Sequence, residues 1–426
     1  MADTINIRRN NLMLILETMK ASGEITASML AEKTSLSPAT ISRSLLLLKT
    51  RGLIMSCGKD SSEQPGRKPD VLSLNPDYAF FLYYRLSGDC FSAYLIDFYG
   101  GLRSSAALEA TAELTPEDFT RKLKSLERTL LSGQYASVPC LNMVLSLPGI
   151  INHIDSTVTR IPNYPKLEHC RIAELASSVS ALPCHVYNDT RLSALGEYLH
   201  SGMDRGSLVQ FNITGNYGIG AGIVLRGELY DDREGIAGEV GDMVLLPEQL
   251  GIHTALSKGP LEEQAGLELL TEKAKYLLTR GAAPKLQQLM QCQNTQKVTL
   301  RLLQQAAQEL DFGVLSILNY TVQLWAAAII NTVTLLAPDQ IVVGGALSEE
   351  DTLICDMLRQ AVRTHYYRDL NIRFARRDSD AHILGAISLS QKYLLAAALD
   401  RVLDERRTEQ AAEVVADTSE QEAAAE

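Results

Sequence analysis

The sequence has no CxxC pair and no ladder of cysteine spacings: Cys57, Cys90, Cys140, Cys170, Cys184, Cys292 and Cys355 lie far apart along 426 residues. That absence excludes a disulfide framework or zinc knuckle and predicts reduced, mostly buried thiols. The opening MADTINIRRNN has no apolar stretch after its charges, so no signal peptide is expected. A long uninterrupted apolar run is missing as well. The most apolar window, Val322 to Pro338, is broken by Gln323, Asn331 and Thr332, which predicts a buried helix and no membrane partner. The expected location is the cytoplasm.

A net charge of -11 excludes a chain that binds polyanions nonspecifically along its whole length. The charge is unevenly spread, however. Residues 1–70 carry more Lys and Arg than Asp and Glu, whereas nothing after Arg407 is basic. The acidic, alanine-rich tail, residues 408–426, is expected to be disordered. With 46% hydrophobic and 21% charged residues, the rest has the composition of folded globular units, two or three for this length.

From Arg8 to Ala21, Leu12, Ile15, Leu16 and Met19 recur at the spacing of one helical face, and Gly23 follows as a stop. A second helix is predicted from Thr26, whose hydroxyl can cap it, to the turn Ser35-Leu36-Ser37. A third starts with Ser37 as cap and Pro38 in the first turn, turns Ile41, Leu45 and Leu48 inward, and presents Ala39, Thr40 and Arg43 outward. A tight turn before a helix with a small, polar N-terminal face is the geometry of a helix-turn-helix that lays its second helix in a major groove. Leu53-Ile54-Met55 and VLSL (71–74) can pair as a wing around GKDSSEQPGRKP. There Arg67 and Lys68 read as a minor-groove hook or as a basic linker. The expected DNA contacts are therefore Ser37, Ala39, Thr40, Arg43, Arg67 and Lys68, on a double-stranded operator; a three-helix scaffold without nucleic acid is the competing reading.

Beyond Asn75 the pattern becomes α/β. AFFLYYRL (79–86) and FSAYLIDF (91–98) read as a hairpin, LNMVLSL (141–147) as a strand ending at Pro148-Gly149, and 116–132 and 302–335 as helical segments. Four further strings, LSLPGIINHIDSTVTRIPNYP, HVYNDTRLSALGEYLHSG, GIGAGIVLRGELYDDREGIAGEVGD and IVVGGAL, stand in the order and spacing of the ROK family of repressors, open reading frames and sugar kinases. The chain resembles that family over about residues 8–400, and its first 77 residues are similar to the DNA-binding half of the family's repressors.

The resemblance implies an N-terminal winged helix-turn-helix (1–77) and a two-lobed actin-like ATPase, or ribonuclease H-like, domain. Its first lobe would span 78–190, completed by about 384–403, and its second 191–383. Asn188 and Asp189 match the family pair that holds sugar hydroxyls, the aspartate as general base in the kinases; the same two residues also read as a helix cap. Glu239, Glu262, Gly149 and Asn163 are implied to line the same sugar pocket. Asp242 stands where the family has a zinc-binding His, and His253, Ala255 and Pro260 stand in its cysteine-rich turn, so zinc is expected to be lost. Arg85-Leu86-Ser87-Gly88-Asp89 replaces the family's phosphate turn and Asn216-Tyr217-Gly218 its second one, so ATP is expected to be lost too. Gly344-Gly345 matches the nucleotide-side turn but also serves a tight strand-to-helix connection.

The chain is thus expected to be a homodimeric or dimer-of-dimers transcriptional regulator, read as a repressor of carbohydrate genes. It would sense a sugar or sugar phosphate without catalysis, metal or cofactor. The alternatives are a divergent sugar kinase and a ligand-independent regulator whose ROK domain dimerises or docks a protein.

Overall fold

The computed structural model describes residues 2–59, 69–161, 163–215, 218–246, 259–366, 369–377 and 379–423, with side chains described between 6 and 404. Three helices and a small sheet open the chain: α1 (Ala2–Ser22), β1 (Ile25–Thr26), α2 (Ala27–Thr34), α3 (Pro38–Thr50), β2 (Ile54–Lys59) and β3 (Asp70–Leu74), with β3 central and antiparallel to both neighbours. The helix starts follow from local chemistry. Thr26 Oγ1 accepts the Met29 N–H at 3.4 Å, and Ser37 Oγ accepts the Thr40 N–H at 3.2 Å with Pro38 in the first turn. Between them Ser35 takes φ 57° to reverse the chain.

A first five-stranded sheet follows. β4 (Phe80–Ser87) and β5 (Cys90–Asp97) form a hairpin through Gly88 at φ 67°, and β6 (Leu102–Glu109) extends it. After α4 (Pro116–Leu130), β7 (Cys140–Leu147) pairs parallel with β4. A short hairpin of β8 (Ile150–Ile151) and β9 (Val158–Arg160), then α5 (Ile172–Ser177), lead to β10 (Cys184–Asn188), which pairs parallel with β7. The order is β10-β7-β4-β5-β6.

From the end of β10, α6 (Asp189–Ser201) leads to the second sheet, which begins with β11 (Leu208–Ile213), β12 (Ile219–Leu225) and β13 (Glu228–Leu229). Helices α7 (Glu262–Ala265), α8 (Leu267–Thr279), α9 (Pro284–Cys292), α10 (Leu300–Gln308) and α11 (Phe312–Leu336) come next. Then β14 (Gln340–Gly345), α12 (Thr352–His365) and β15 (Ile372–Phe374) complete the order β13-β12-β11-β14-β15. α11 is long and apolar enough to cross a membrane by composition, but Val314, Leu318, Val322, Trp325, Ile329 and Val333 are buried against the second sheet's core.

The last helix, α13 (Ala381–Ala423), returns to the first sheet and ties three parts together. Its Leu394, Leu395, Ala398, Leu399 and Val402 share one continuous apolar core with Leu12, Ile15, Leu16 and Met19 of α1 and with Phe81 and Tyr83 of β4. At about 2 kcal/mol per buried Leu or Ile side chain, that seam is a packed interface rather than a linker. Arg9 adds an ion pair to Asp400 at 2.8 Å. At its other end α13 crosses α6 so closely that a Cβ on Gly196 would strike the Ala381 carbonyl, and one on Gly385 the Leu192 carbonyl.

Three expectations are corrected. The first helix begins at Ala2, ahead of Arg8. The helical stretch 302–335 is two helices, because Leu310 takes φ 61° and Asp311 caps α11 by accepting the Val314 N–H at 3.2 Å. The tail expected to be disordered from 408 continues α13 as helix to Ala423; Ala, Glu and Gln are strong helix formers, and acidity alone does not oppose a helix.

Candidate functional site

Two chambers lie against Asp189, at the first turn of α6. The smaller, about 50 Å³, is lined by Gly149, Arg160, Asn188, Asp189, Glu239 and Glu262 together with β11 and β12 residues. Five residues picked from the sequence thus converge there, and Asp242 borders them through Arg160. Asn163 does not line this chamber.

Asn188 is bonded to the backbone through both ends of its amide. Its Oδ1 accepts the Thr190 and Arg191 N–H groups at 2.8 and 3.2 Å, and its Nδ2 donates to the Gly149 carbonyl at 2.8 Å. The cap role is therefore the one present, and it fixes where Asp189 begins the helix. Gly149 takes φ 96°, and a Cβ there would overlap the Arg160 carbonyl, so the β7–β8 turn requires glycine.

Arg160, at the end of β9, fills the chamber. Its guanidinium donates to Glu239 Oε2 at 3.1 Å and to Asp242 Oδ1 at 3.5 Å, with Glu262 also within its field. Burial pushes the Glu239 carboxyl up to about 7, against the pull of Arg160. Glu262 accepts the Ile219 N–H at 3.0 Å and the Gly259 N–H at 3.4 Å, and burial raises its pKa as well. Its carboxylate lies where Gly218 and Gly241 have no side chain. Since Arg160 ends the β8–β9 hairpin inserted between β7 and β10 of the first sheet, and its partners follow β13 of the second, this ion pair links chain segments from the two halves of the molecule.

The sequence reading missed Arg160 and also Arg191. The latter, 3% exposed, joins α6 to Asp231, to Asp232 at 3.1 Å, to the Ala237 carbonyl at 2.9 Å and to His153 Nε2 at 2.6 Å. Burial lowers the His153 pKa. The only local signal was the doubled acid of Asp231-Asp232.

The larger chamber, about 410 Å³, lies on the other side of Asp189 and runs from Arg85 and Ser87 past Gln210 and Asn212 to Arg376, Arg377 and His382. Arg85 Nη2 stands 3.8 Å from Asp189 Oδ2, and burial raises the Asp189 pKa despite it. Gly344, next to last in β14, lies close to the Gln210 side chain, and Gly345, which ends the strand, takes φ 88° at the chamber's edge.

Of the residues standing where the family binds zinc, Asp242 is engaged by Arg160, and segment 247–258, with His253 and Ala255, lies outside the described residues. Among the described residues no group of three or more His, Cys, Asp or Glu is arranged around a metal position.

On the N-terminal unit, Ser37, Ala39 and Arg43 are exposed and Thr40 is half-buried, its hydroxyl 2.9 Å from Ser37 Oγ. Thr40 and Arg43 line a groove of about 690 Å³ between α1 and α3, joined by Arg8, Asn11, Ser44, Thr50 and Arg51, which the sequence reading did not single out. Arg67 and Lys68 lie outside the described residues, as do Asn216 and Tyr217.

The comparisons with known proteins agree with this layout. A xylose repressor from Caldicellulosiruptor bescii is 23% identical over 392 residues, 90% of this chain and 96% of its own. The solved structure of a ROK family transcriptional regulator, a homologue of the E. coli MLC protein, superposes with TM-score 0.73 at 22% identity, covering 93% of this chain and 99% of its own. A ROK hexokinase from Thermus thermophilus, also 22% identical, superposes with TM-score 0.59 and covers 74% of this chain and 98% of its own. The ROK family model itself matches residues 86–393. That match covers well over half of the chain, including the second sheet, the smaller chamber and the crossing of α6 with α13, and by it the chain belongs to the ROK family.

Proposed function

We propose that this protein is a cytoplasmic, sugar-responsive transcriptional repressor that acts without phosphorylating its ligand. The N-terminal unit is a winged helix-turn-helix, α3 is its recognition helix, and the hairpin β2–β3 is its wing. Ser37, Ala39, Thr40 and Arg43 meet base edges, while Arg8 and Arg51 take backbone phosphates. Two copies present two such heads to a double-stranded, inverted-repeat operator. The wide coverage by a transcriptional regulator, against the narrower coverage by a hexokinase, supports assigning the N-terminal unit to regulation.

One observation carries the mechanism: the pocket and the reading head are joined by two helices. Asp189 opens α6, α6 crosses α13 at Gly196 and Gly385, and α13 shares its core with α1. A sugar in the small chamber must displace Arg160, because about 50 Å³ falls below the roughly 300 Å³ of small-molecule sites. Sugar hydroxyls then take over Glu239 and Asp242, the tie between the two halves is released, and α6 shifts against α13. A ligand that favours the released arrangement lowers operator affinity by that preference.

Phosphoryl transfer is disfavoured by charge. Asp189 faces Arg85 and is drawn toward its protonated form by burial, and the Arg85 cation beside it opposes the approach of a metal ion. Neither ATP nor zinc is part of this reading.

The test is fluorescence anisotropy of the full chain on its own promoter DNA, titrated with D-xylose, common hexoses and N-acetylhexosamines. One of these is expected to weaken operator binding by about tenfold or more. Absence of specific DNA binding, or ADP release with any sugar and Mg-ATP, would refute the proposal.

A further inference from the structure

The sugar response proposed above uses the smaller chamber, yet the larger one also has the features of a site. Three buried side-chain atoms in its wall have no hydrogen-bond partner: Arg85 Nε, Gln210 Oε1 and His382 Nε2. Buried polar atoms are nearly always paired, so three orphans around one cavity point to a ligand.

Their chemistry is specific. Gln210 donates its amide to Ser193 Oγ at 3.1 Å, which leaves Oε1 as an acceptor. His382 bonds the Ser379 backbone, and burial holds its pKa down at about 3. The ring is therefore neutral, and its unpartnered Nε2 is an acceptor. Two acceptors call for ligand hydroxyls. The remaining charge is positive: Arg85 at the floor, and at the rim Arg376, which is exposed and forms no ion pair among the described residues. The carboxylates present are already committed, Glu197 to Arg373 and to Ser379 Oγ at 3.0 Å, and Asp189 to Arg85. None is left to hold a divalent cation, so a magnesium-bound triphosphate suits the chamber poorly. Its volume of about 410 Å³ lies within the range of small-molecule sites.

We propose that this chamber is a second ligand site, taking a small hydroxylated phosphomonoester with its phosphate between Arg85 and Arg376 and its hydroxyls on His382 Nε2 and Gln210 Oε1. Asp189, Asn212 and Thr214 line both chambers, so occupancy of one is felt at the wall of the other. The site does not require the smaller chamber to bind sugar.

Calorimetry on the full-length protein tests this with ribose 5-phosphate as probe, and with ribose, inorganic phosphate and Mg-ATP as comparison arms. Ribose 5-phosphate is expected to bind at least about tenfold more tightly than each of the other three. Arg85→Gln should weaken it by about tenfold or more, and so should Arg376→Ala, whose exposed position keeps folding out of the comparison. The proposal is overturned by no binding of ribose 5-phosphate, by tighter binding of Mg-ATP, or by binding that both arginine variants leave unchanged. Binding lost in Glu239→Gln but kept in Arg376→Ala would place the probe in the smaller chamber and overturn it equally. Because the readout is direct binding, its failure is separate from any failure of operator release.

Discussion

The two chambers share the Asp189 wall but are filled in opposite ways. In the smaller one the protein supplies its own occupant: Arg160 sits among Glu239, Asp242 and Glu262 and satisfies them. In the larger one the cation is on the wall, and three of the lining residues, Arg85, Gln210 and His382, each carry a buried polar atom without a partner among the described residues. A charge held in reserve against a ligand and a charge offered to one are thus separated by a single aspartate. A self-satisfied pocket releases its ligand readily and responds by exchange of partners, whereas an unsatisfied one gains the full pairing energy on binding.

The largest test forces apart the α6–α13 crossing that holds Asp189, the residue both chambers share. Gly196→Ala drives a Cβ into the Ala381 carbonyl and is expected to cost about 3 kcal/mol in urea unfolding, disabling both chambers. Leu395→Ala, in the seam between α13 and α1, should cost a similar amount, about 3 kcal/mol, with pocket residues unchanged. Arg160→Ala sharpens the contrast, since it empties the smaller chamber and leaves three acids unbalanced. A stability loss of about 1–2 kcal/mol is expected, with tighter binding of the operator-releasing sugar in calorimetry.

A smaller effect tests Glu239. Its folded-state pKa, about 7, lies above the ordinary carboxyl value, so the folded protein holds the extra proton. The associated stability is present below the unfolded pKa and lost as pH rises through about 7. Relative to Glu239→Gln, the wild type should lose on the order of 1 kcal/mol between about pH 5 and pH 8, read as the difference in thermal midpoints. The smallest change is Arg9→Ala. Its ion pair with Asp400 is exposed on both sides, and less than about 1 kcal/mol should be lost.

The features legible in the sequence were those whose cause is local. Ser37, Pro38 and Thr26 mark helix starts by their own chemistry, and the β4–β5 hairpin is written in two apolar runs around Gly88-Asp89. Asn188 was read both as cap and as sugar ligand; its Oδ1 makes the two cap bonds to the Thr190 and Arg191 N–H groups, and its Nδ2 ties the cap to the Gly149 carbonyl. The edge strand β6, LRSSAALE, escaped because small and polar residues carry little strand signal. Arg160 and Arg191 escaped for another reason. Glu239 stands 79 residues from Arg160, and Asp232 41 residues from Arg191, so nothing near either arginine announces its partner. The split between α10 and α11 rests on one left-handed residue, Leu310, which its side chain does not advertise.

The relay from Asp189 through α6 and α13 to α1 is the step on which regulation depends. Amide hydrogen exchange on the full-length protein, with and without the sugar that releases the operator, tests it most directly. The predicted result is altered protection that runs from the start of α6 along α13 to residues 394–402 and into α1 at 12–19. Changes confined to the smaller chamber, with the seam between α13 and α1 unaltered, would contradict it.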